Sequence, residues 1–512
     1  PALPPERYRV FVADYQQQLR AVLDENKQHP FRYFFPLTTQ NTWQSAFYQG
    51  AESYARLQLL KDGAVYFTSP AWFLWVADHC EVQVTARDLR AAHRDLRRDA
   101  HLTALRELRT RLSGIKFALS HFSWPRTVPQ GLRYCLYSVW THSGFRKWQE
   151  ERQEPFYGPL PRALDHALVV YHREGGWAGR LAPDSAFKIA RNSQFLRWRD
   201  WGALMITLLF FKLRLPQGVE MPVAALRQDY SSTLANQFVL ALLAYYSARY
   251  IARRNPAVKF ITLFEGNCWE QGILASAGAQ GRKVIGVQHT AFAPAFLKMQ
   301  ADGQRPVPDR IVTTGAIPAQ LLATLMGHDP EKIYPACQLR GGFTYHPRMD
   351  SAGQNILVLL QGGPYDQILL QRIRDAQLDR HIVVRPHPGQ EPGPLSGLMV
   401  ADGKLQDHLQ QASVVIYNGT TACFDALAAG VPCIYMCCGD AGRNDPLVTL
   451  VADIKRNCHE GDDLAMLLRA IESLPLDAYL SACAQCHQYI KEYFHPVDAS
   501  RLNALKEFIE HV

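Results

Sequence analysis

The chain has 512 residues, 47% of them hydrophobic and 20% charged, with a formal net charge of +8. That length exceeds one ordinary core, so two or three domains are expected, and the composition excludes a disordered or fibrous chain. The basic excess is modest, which suits an acidic ligand or a membrane surface better than a dedicated nucleic-acid binder.

In chain order, the first 250 residues yield few elements. "GAVYFTS" (63–69) and "ALDHALVVYH" (163–172) read as core elements whose order stays open. Between them, residues 87–116 carry nine basic residues against four acidic ones, with leucines at 89, 96, 105, 108 and 112 in helical spacing. This is either a solvated helix face or a basic helical patch on anionic lipid. The run "ALMITLLFF" (203–211) covers 9 residues, too few to cross a bilayer, and reads as a buried helix or strand. Eleven cysteines without a framework, and no legible signal peptide, point to the cytoplasm. "CAQCH" (483–487) spells a haem-attachment motif, but its flanks read as one amphipathic helix. Adjacent Cys437 and Cys438 lack a second ligand pair, so no metal site is expected.

From residue 258 the pattern becomes regular. "VKFITLFEGNCWEQGILASAGAQGRKVIGVQHTAF" (258–292) reads as strand, turn, helix, strand, turn, and "DRIVTTGAIPAQLLATLM" (309–326) repeats it. Residues 327–350 carry turn signals and mark a boundary. Beyond it, "NILVLLQGG", "HIVVRPHPG", "SVVIYNGTT" and "VPCIYM" are apolar strands alternating with helices. Such runs predict a parallel sheet covered on both faces, with ligands beyond the carboxyl ends of the strands. The loops at 361–364, 385–389 and 418–421 then share one rim.

On that rim, Arg385 and His387 end a strand, and Pro386 and Pro388 stiffen the backbone around the imidazole. A fixed imidazole beside a guanidinium fits a phosphate. Asn418 and Gly419 turn the chain, and Thr420 and Thr421 stand where the next helix begins, offering hydroxyls to an anion or an ordinary cap. Gly362 and Gly363, in "QGGP", allow close backbone approach.

Together, His387-Pro388 and the pair Thr420-Thr421 resemble the nucleotide-binding half of bacterial GT-B glycosyltransferases that use CMP-activated keto-sugar acids: sialyltransferases, Kdo transferases and their relatives in capsule and O-antigen synthesis. The resemblance covers roughly residues 258–435. It implies an α/β fold of GT-B type, with two Rossmann-like domains whose parallel sheets face each other across a cleft. The expected division is 1–330 for the acceptor side, 345–490 for the CMP-sugar side, and 491–512 for a final helix packing back on the first domain. It also implies that His387 and the threonine pair hold the CMP phosphate, and that an acidic residue followed by glycine serves as general base. Glu265-Gly266 in "FEGNCWEQ" is the matching place, although the usual second acidic residue is absent; Glu270, a turn further on, is the alternative base. Gln288 and His289, ending the next strand, would face the cleft and meet the donor carboxylate or the acceptor.

The implied partners are a CMP-sugar and an oligosaccharide or lipid-linked glycan acceptor, without cofactor, metal or nucleic acid, in the cytoplasm and in peripheral contact with an anionic membrane. The rival within the fold is a CDP-glycerol or CDP-ribitol polyol-phosphate transferase, which also uses R-x-H-P. UDP-sugar enzymes carry a Glu in the last helix for the ribose; Asp425 occupies the comparable helix here.

Overall fold

In the computed structural model the described residues are 107–512, apart from 141, 174–187, 213–235, 292, 294–298, 302–304, 344, 346–353, 363–364, 388–397, 439–443 and 460, together with a few residues before 107. The expected strand at 63–69, most of the basic stretch 87–116, and Gly363 and Pro388 lie outside the described residues.

Two parallel sheets organise the chain. The first contains β1 (Tyr134–Trp140), β2 (Ala167–Arg173), β3 (Lys188–Arg191), β4 (Lys259–Leu263), β5 (Val284–Val287), β6 (Arg310–Thr313) and β7 (Ile333–Pro335), in the order β3-β2-β1-β4-β5-β6-β7. The second contains β8 (Asn355–Leu359), β9 (His381–Arg385), β10 (Met399–Val400), β11 (Ala412–Tyr417), β12 (Cys433–Met436) and β13 (Lys455–Cys458), in the order β10-β9-β8-β11-β12-β13. The expected α/β class with two parallel sheets is therefore what the chain forms. Both orders reverse direction beside the first strand, between β1 and β4 and between β8 and β11. Such a reversal opens a crevice at the carboxyl ends of the strands.

The central strands β1, β11 and β12 are buried along their whole length, as continuous apolar runs covered on both faces must be. Helix Asn236–Arg254 packs against helix Cys268–Gly278, and Gly272 makes this possible, since a side chain there would overlap the Ala241 carbonyl.

The chain crosses to the second sheet after β7 and returns at its end. Gly158, at φ 51°, lies so close to the Leu339 carbonyl that any side chain would collide with it, which seats the crossing segment on the first sheet's core. The return is pinned by three bonds: the Thr314 hydroxyl donates to the Tyr493 carbonyl at 2.9 Å, the His495 amide to the Thr314 carbonyl at 2.8 Å, and the Gln338 amide to the His495 carbonyl at 2.8 Å. Helix Leu476–Tyr493 buries Cys483 and Cys486 among apolar neighbours, so the C-x-x-C-H spelling sits inside a packed helix. Helix Ala499–His511 lies on the first sheet's core through Leu505 and Ile509, Phe508 stacks on Tyr334 at 4.3 Å, and Lys259 Nζ donates to the carbonyls of Ile509 and Glu510 at the helix end.

One expectation about burial is overturned. Residues 203–211 fall largely within helix Trp198–Phe210, which buries Leu204 and Leu208 yet leaves Ile206, Leu209 and Phe210 exposed. The run is apolar on nearly every side, but among the described residues only the side carrying Leu204 and Leu208 is buried. No helix among the described residues is long and apolar enough to cross a membrane.

Candidate functional site

The site candidates gather at the two reversal points. In the first sheet, β4 runs through Phe264 into Glu265, Gly266 turns at φ 74°, and helix Cys268–Gly278 begins after Asn267. Glu270 lies in the first turn of that helix and folds back over the loop. Its carboxylate accepts from the amides of Glu265 (3.0 Å), Gly266 (2.9 Å) and Asn267 (3.1 Å), and from the Asn267 side-chain amide at 2.9 Å. Glu270, the alternative base expected from sequence, is thus occupied inside the loop. It is a buried loop carboxylate, engaged by four donors in one turn, and proton transfer to it would weaken all of them.

Glu265 is the carboxylate that reaches outward, with about 20% of its side chain exposed. The Thr290 hydroxyl donates to it, and His289 Nδ1 lies 3.1 Å from the same oxygen, at ion-pair distance although the ring is not aligned for a hydrogen bond. Phe156 meets the His289 ring edge-to-face at 4.8 Å. Gln288 departs from expectation: it is buried, its Oε1 accepts from the Thr314 amide at 3.1 Å, and its Nε2 donates to the Thr290 carbonyl. Its side chain braces the loop that carries His289 and Thr290 and does not face the crevice.

Two residues of this centre were not singled out from sequence. Glu154, fully buried, accepts from the Ser138 hydroxyl, from Trp140 Nε1 at 3.0 Å, and from the amides of Phe156 and Tyr157. Burial raises its pKa from the ordinary carboxylate value, and those hydrogen bonds oppose the rise. Arg340, in the crossing segment, sits with its guanidinium 4.6 Å above the Phe156 ring. Desolvation of the guanidinium lowers its pKa while the charges of Glu265 and Glu154 oppose that shift, so a cation stands within electrostatic reach of Glu265. In the sequence both lie in turn-rich stretches, "EPFYGP" and "LRGG", and the Gly158–Leu339 approach and the Arg340–Phe156 contact bring them together.

The second sheet repeats the device. β8 ends in Gln361 and Gly362, the latter at φ 84°, and Asp366 at the start of helix Tyr365–Asp375 accepts both amides, at 3.0 and 2.9 Å. The Gly362 amide is therefore held by Asp366, and the expected close-approach role loses that donor. Asn444 donates to Gln361 Oε1 at 2.8 Å and to Asn418 Oδ1 at 2.9 Å, while Asn418 Nδ2 donates to the Met436 carbonyl at 2.8 Å. Gly419, at φ 72°, fits between Asn444 and Gln361 where any side chain would overlap both. Asn418 and Gly419 thus lock the loops together and leave the following hydroxyls at the rim.

Thr421 is exposed and makes no side-chain cap to helix Ala422–Ala428; Thr420 accepts weakly from the Ala422 amide at 3.4 Å. With only seven residues, that helix contributes a small dipole, so the hydroxyls are its main offer to an anion. His387 is exposed two residues past β9. Arg385 is half-buried and donates to the Gly403 carbonyl at 3.0 Å, which ties the neighbouring loop to the strand end. Asp425 is half-buried in the same helix, and burial pushes its pKa up to about 6.

No protein-family model matches the chain, and no curated protein matches it in sequence. Among solved structures it is similar to the lipopolysaccharide outer core galactosyltransferase WaaB, at 8% identity and a TM-score of 0.41, over 74% of this chain and 99% of that one. A UDP-GlcNAc 2-epimerase of Methanocaldococcus jannaschii, in complex with UDP-GlcNAc and UDP, matches at 10% identity and 0.40, over 74% and 100%. The wall teichoic acid polymerase TagF matches at 9% and 0.36, over 81% and 97%. Likeness at that level leaves the fold to be read from the strand orders themselves.

Proposed function

We propose that this chain is a glycosyltransferase that moves an acidic keto-sugar from its CMP-activated form to a surface-glycan acceptor, an oligosaccharide or a lipid-linked glycan. The sugar would be a nonulosonic acid, such as sialic, pseudaminic or legionaminic acid, or Kdo. Glu265 is the observation that carries this reading. It is a carboxylate at the reversal point of the first sheet, partly open, held by the Thr290 hydroxyl with His289 at ion-pair distance, while its neighbour Glu270 is engaged inside the loop.

An acceptor hydroxyl is a poor nucleophile, and a positioned carboxylate takes its proton as the new bond forms. Departing CMP gains negative charge on its phosphate, which His387, Arg385 and the hydroxyls of Thr420 and Thr421 would meet from the second sheet. One displacement assisted by a base inverts the anomeric centre. Arg340 keeps a positive charge beside Glu265, which favours the ionised, proton-accepting form. The scheme uses side chains alone and calls for no cofactor or metal.

Initial rates with CMP-Kdo, CMP-sialic acid and CDP-glycerol, each with and without glycan acceptor, test the reading. Turnover of a CMP-keto-acid, lowered about 10²- to 10⁴-fold in a well-folded Glu265→Gln variant, is expected. Turnover of CDP-glycerol alone, or a Glu265→Gln enzyme that keeps more than about a tenth of the rate, would overturn it.

A further inference from the structure

Two helical segments of the first domain hold an arrangement that neither sheet uses. Helical residues 107–120 expose Leu108, Leu112 and Leu119 on one side, and helix Trp198–Phe210 exposes Trp198 (59%), Ile206 (61%), Leu209 and Phe210 (75%). Trp124 joins them at 74% exposure. The segments are bound side by side and run antiparallel. Arg111 donates to the carbonyls of Leu208, Leu209 and Phe211 at one end, and at the other Phe122 packs on Trp198 at 5.6 Å and Trp201 at 5.2 Å. Trp124 meets Trp198 edge-to-face at 5.6 Å.

The polarity of residues 107–120 is mixed: Ala118 is buried and Ile115 and Phe117 pack against the core, as on an ordinary surface helix, while two features run against that pattern. Arg111 is buried and its leucine neighbours point to solvent. An exposed apolar band of this extent is uncommon on a soluble surface and marks an interaction site.

Its charges identify the partner. Residues 107–126 and 197–212 hold seven basic residues and two acidic ones. The two acids, Glu107 and Asp200, are each paired with an arginine, Arg111 and Arg197. Arg109, Lys116, Arg126, Arg199 and Lys212 are exposed around the apolar band. Tryptophan, phenylalanine and leucine flanked by cations form a surface that enters the headgroup boundary of a negatively charged bilayer. A second copy of the chain fits poorly, because a twofold contact would set the same cations against one another.

We propose that the outward face of residues 107–126 and 197–212 is a docking surface for an anionic lipid bilayer. It goes beyond the donor reading and stands on the exposed side chains alone.

The test is co-sedimentation of the full chain with phosphatidylcholine vesicles and with equimolar phosphatidylcholine–phosphatidylglycerol vesicles. The wild type is expected to bind the anionic vesicles at least roughly tenfold more tightly, since each nearby cation contributes on the order of 1 kcal/mol. The combined variant Ile206→Gln, Leu209→Gln and Phe210→Gln changes only exposed side chains and leaves the Trp198 ring contacts in place, so its melting should match wild type. Its affinity for the anionic vesicles should fall at least about tenfold. Val451→Gln, at a 90% exposed valine of the second domain, should bind like wild type. A wild type that stays in the supernatant with both vesicles, or a triple variant that binds unchanged, overturns the proposal. So does a wild-type dimer without lipid that the triple variant disperses, which would make a second copy the occupant. Lipid binding by a chain that turns over no CMP-sugar leaves the docking surface standing and removes only the donor reading.

Discussion

Glu270→Gln isolates what the buried carboxylate does for the loop carrying Glu265. Glu270 Oε2 accepts from the amides of Glu265, Gly266 and Asn267, and Oε1 accepts from the Asn267 side-chain amide. A glutamine turned to place its carbonyl at the first position keeps three acceptor contacts, and a flip of the Asn267 amide relieves the fourth. What vanishes is the charge. Bonds to an ionised acceptor are worth about 1.5–3 kcal/mol against about 0.5–1.5 for neutral ones, so three of them weaken by roughly 1 kcal/mol each, about 3 kcal/mol together. For a domain of this size that corresponds to a fall in melting temperature of roughly 6–12 °C. Differential scanning calorimetry reads the shift, and initial rates on the same samples read the effect on Glu265. Turnover should fall less than in Glu265→Gln, because the base is loosened and not removed. A Glu270→Gln protein that melts within about 2 °C of wild type would refute the reasoning, since the charge would then contribute less than about 1 kcal/mol.

His387→Ala, and Thr420→Ala with Thr421→Ala, should each weaken CMP binding in calorimetry by roughly 10- to 150-fold, the value of a lost charge-assisted hydrogen bond. His495→Ala should leave CMP affinity unchanged while lowering stability, because that ring contacts the Ala336 carbonyl at 2.9 Å in the crossing segment. Arg340→Met removes the cation beside Glu265, so the acid limb of the kcat/KM profile should move to higher pH, and Arg340→Lys should return it most of the way. His172 is buried edge-to-face against Trp269, and burial holds its pKa down to about 3. Its folded pKa lies below the unfolded one, so its contribution is complete above about pH 6.5 and is lost as pH falls towards 3, up to roughly 4–5 kcal/mol. In urea melts across that range, His172→Phe should flatten the acid slope.

The second sheet was largely legible because its central strands are unbroken apolar runs bounded by glycine, and parallel strands buried on both faces have no other way to read. β13, spelled "KRNC", and β3, spelled "KIAR", were not, because edge strands need little apolar character once a neighbour supplies the ladder. In the candidate site, the positions of Glu265, His387 and Thr420-Thr421 follow from strand ends visible in the sequence. Local spacing also holds the signal for Glu270, since Asn267 and Glu270 stand at the first and fourth places of a capping pattern. Arg340 and Glu154 could not be found that way. They are 186 residues apart, and their shared neighbour Phe156 exists as a seat only once the crossing segment packs against Gly158.

What the sequence by itself determined is the class of the fold, the alternation of strand and helix beyond residue 258, and the strand ends where chemistry can be placed. Those are local properties, set by side-chain period and turn residues. What only the tertiary structure decided is direction: which side of a helix faces the core, and which of two neighbouring carboxylates stays open. The pattern of residues 107–120 has two faces, and its leucines alone would be assigned inward. The fold turns Arg111 inward instead, because helix Trp198–Phe210 ends beside it with the carbonyls of Leu208, Leu209 and Phe211 in need of donors, and Glu107 balances the charge. Arg111 satisfies those acceptors while Leu108, Leu112 and Leu119 stay exposed, and no spacing within a single segment records where another segment's carbonyls will lie.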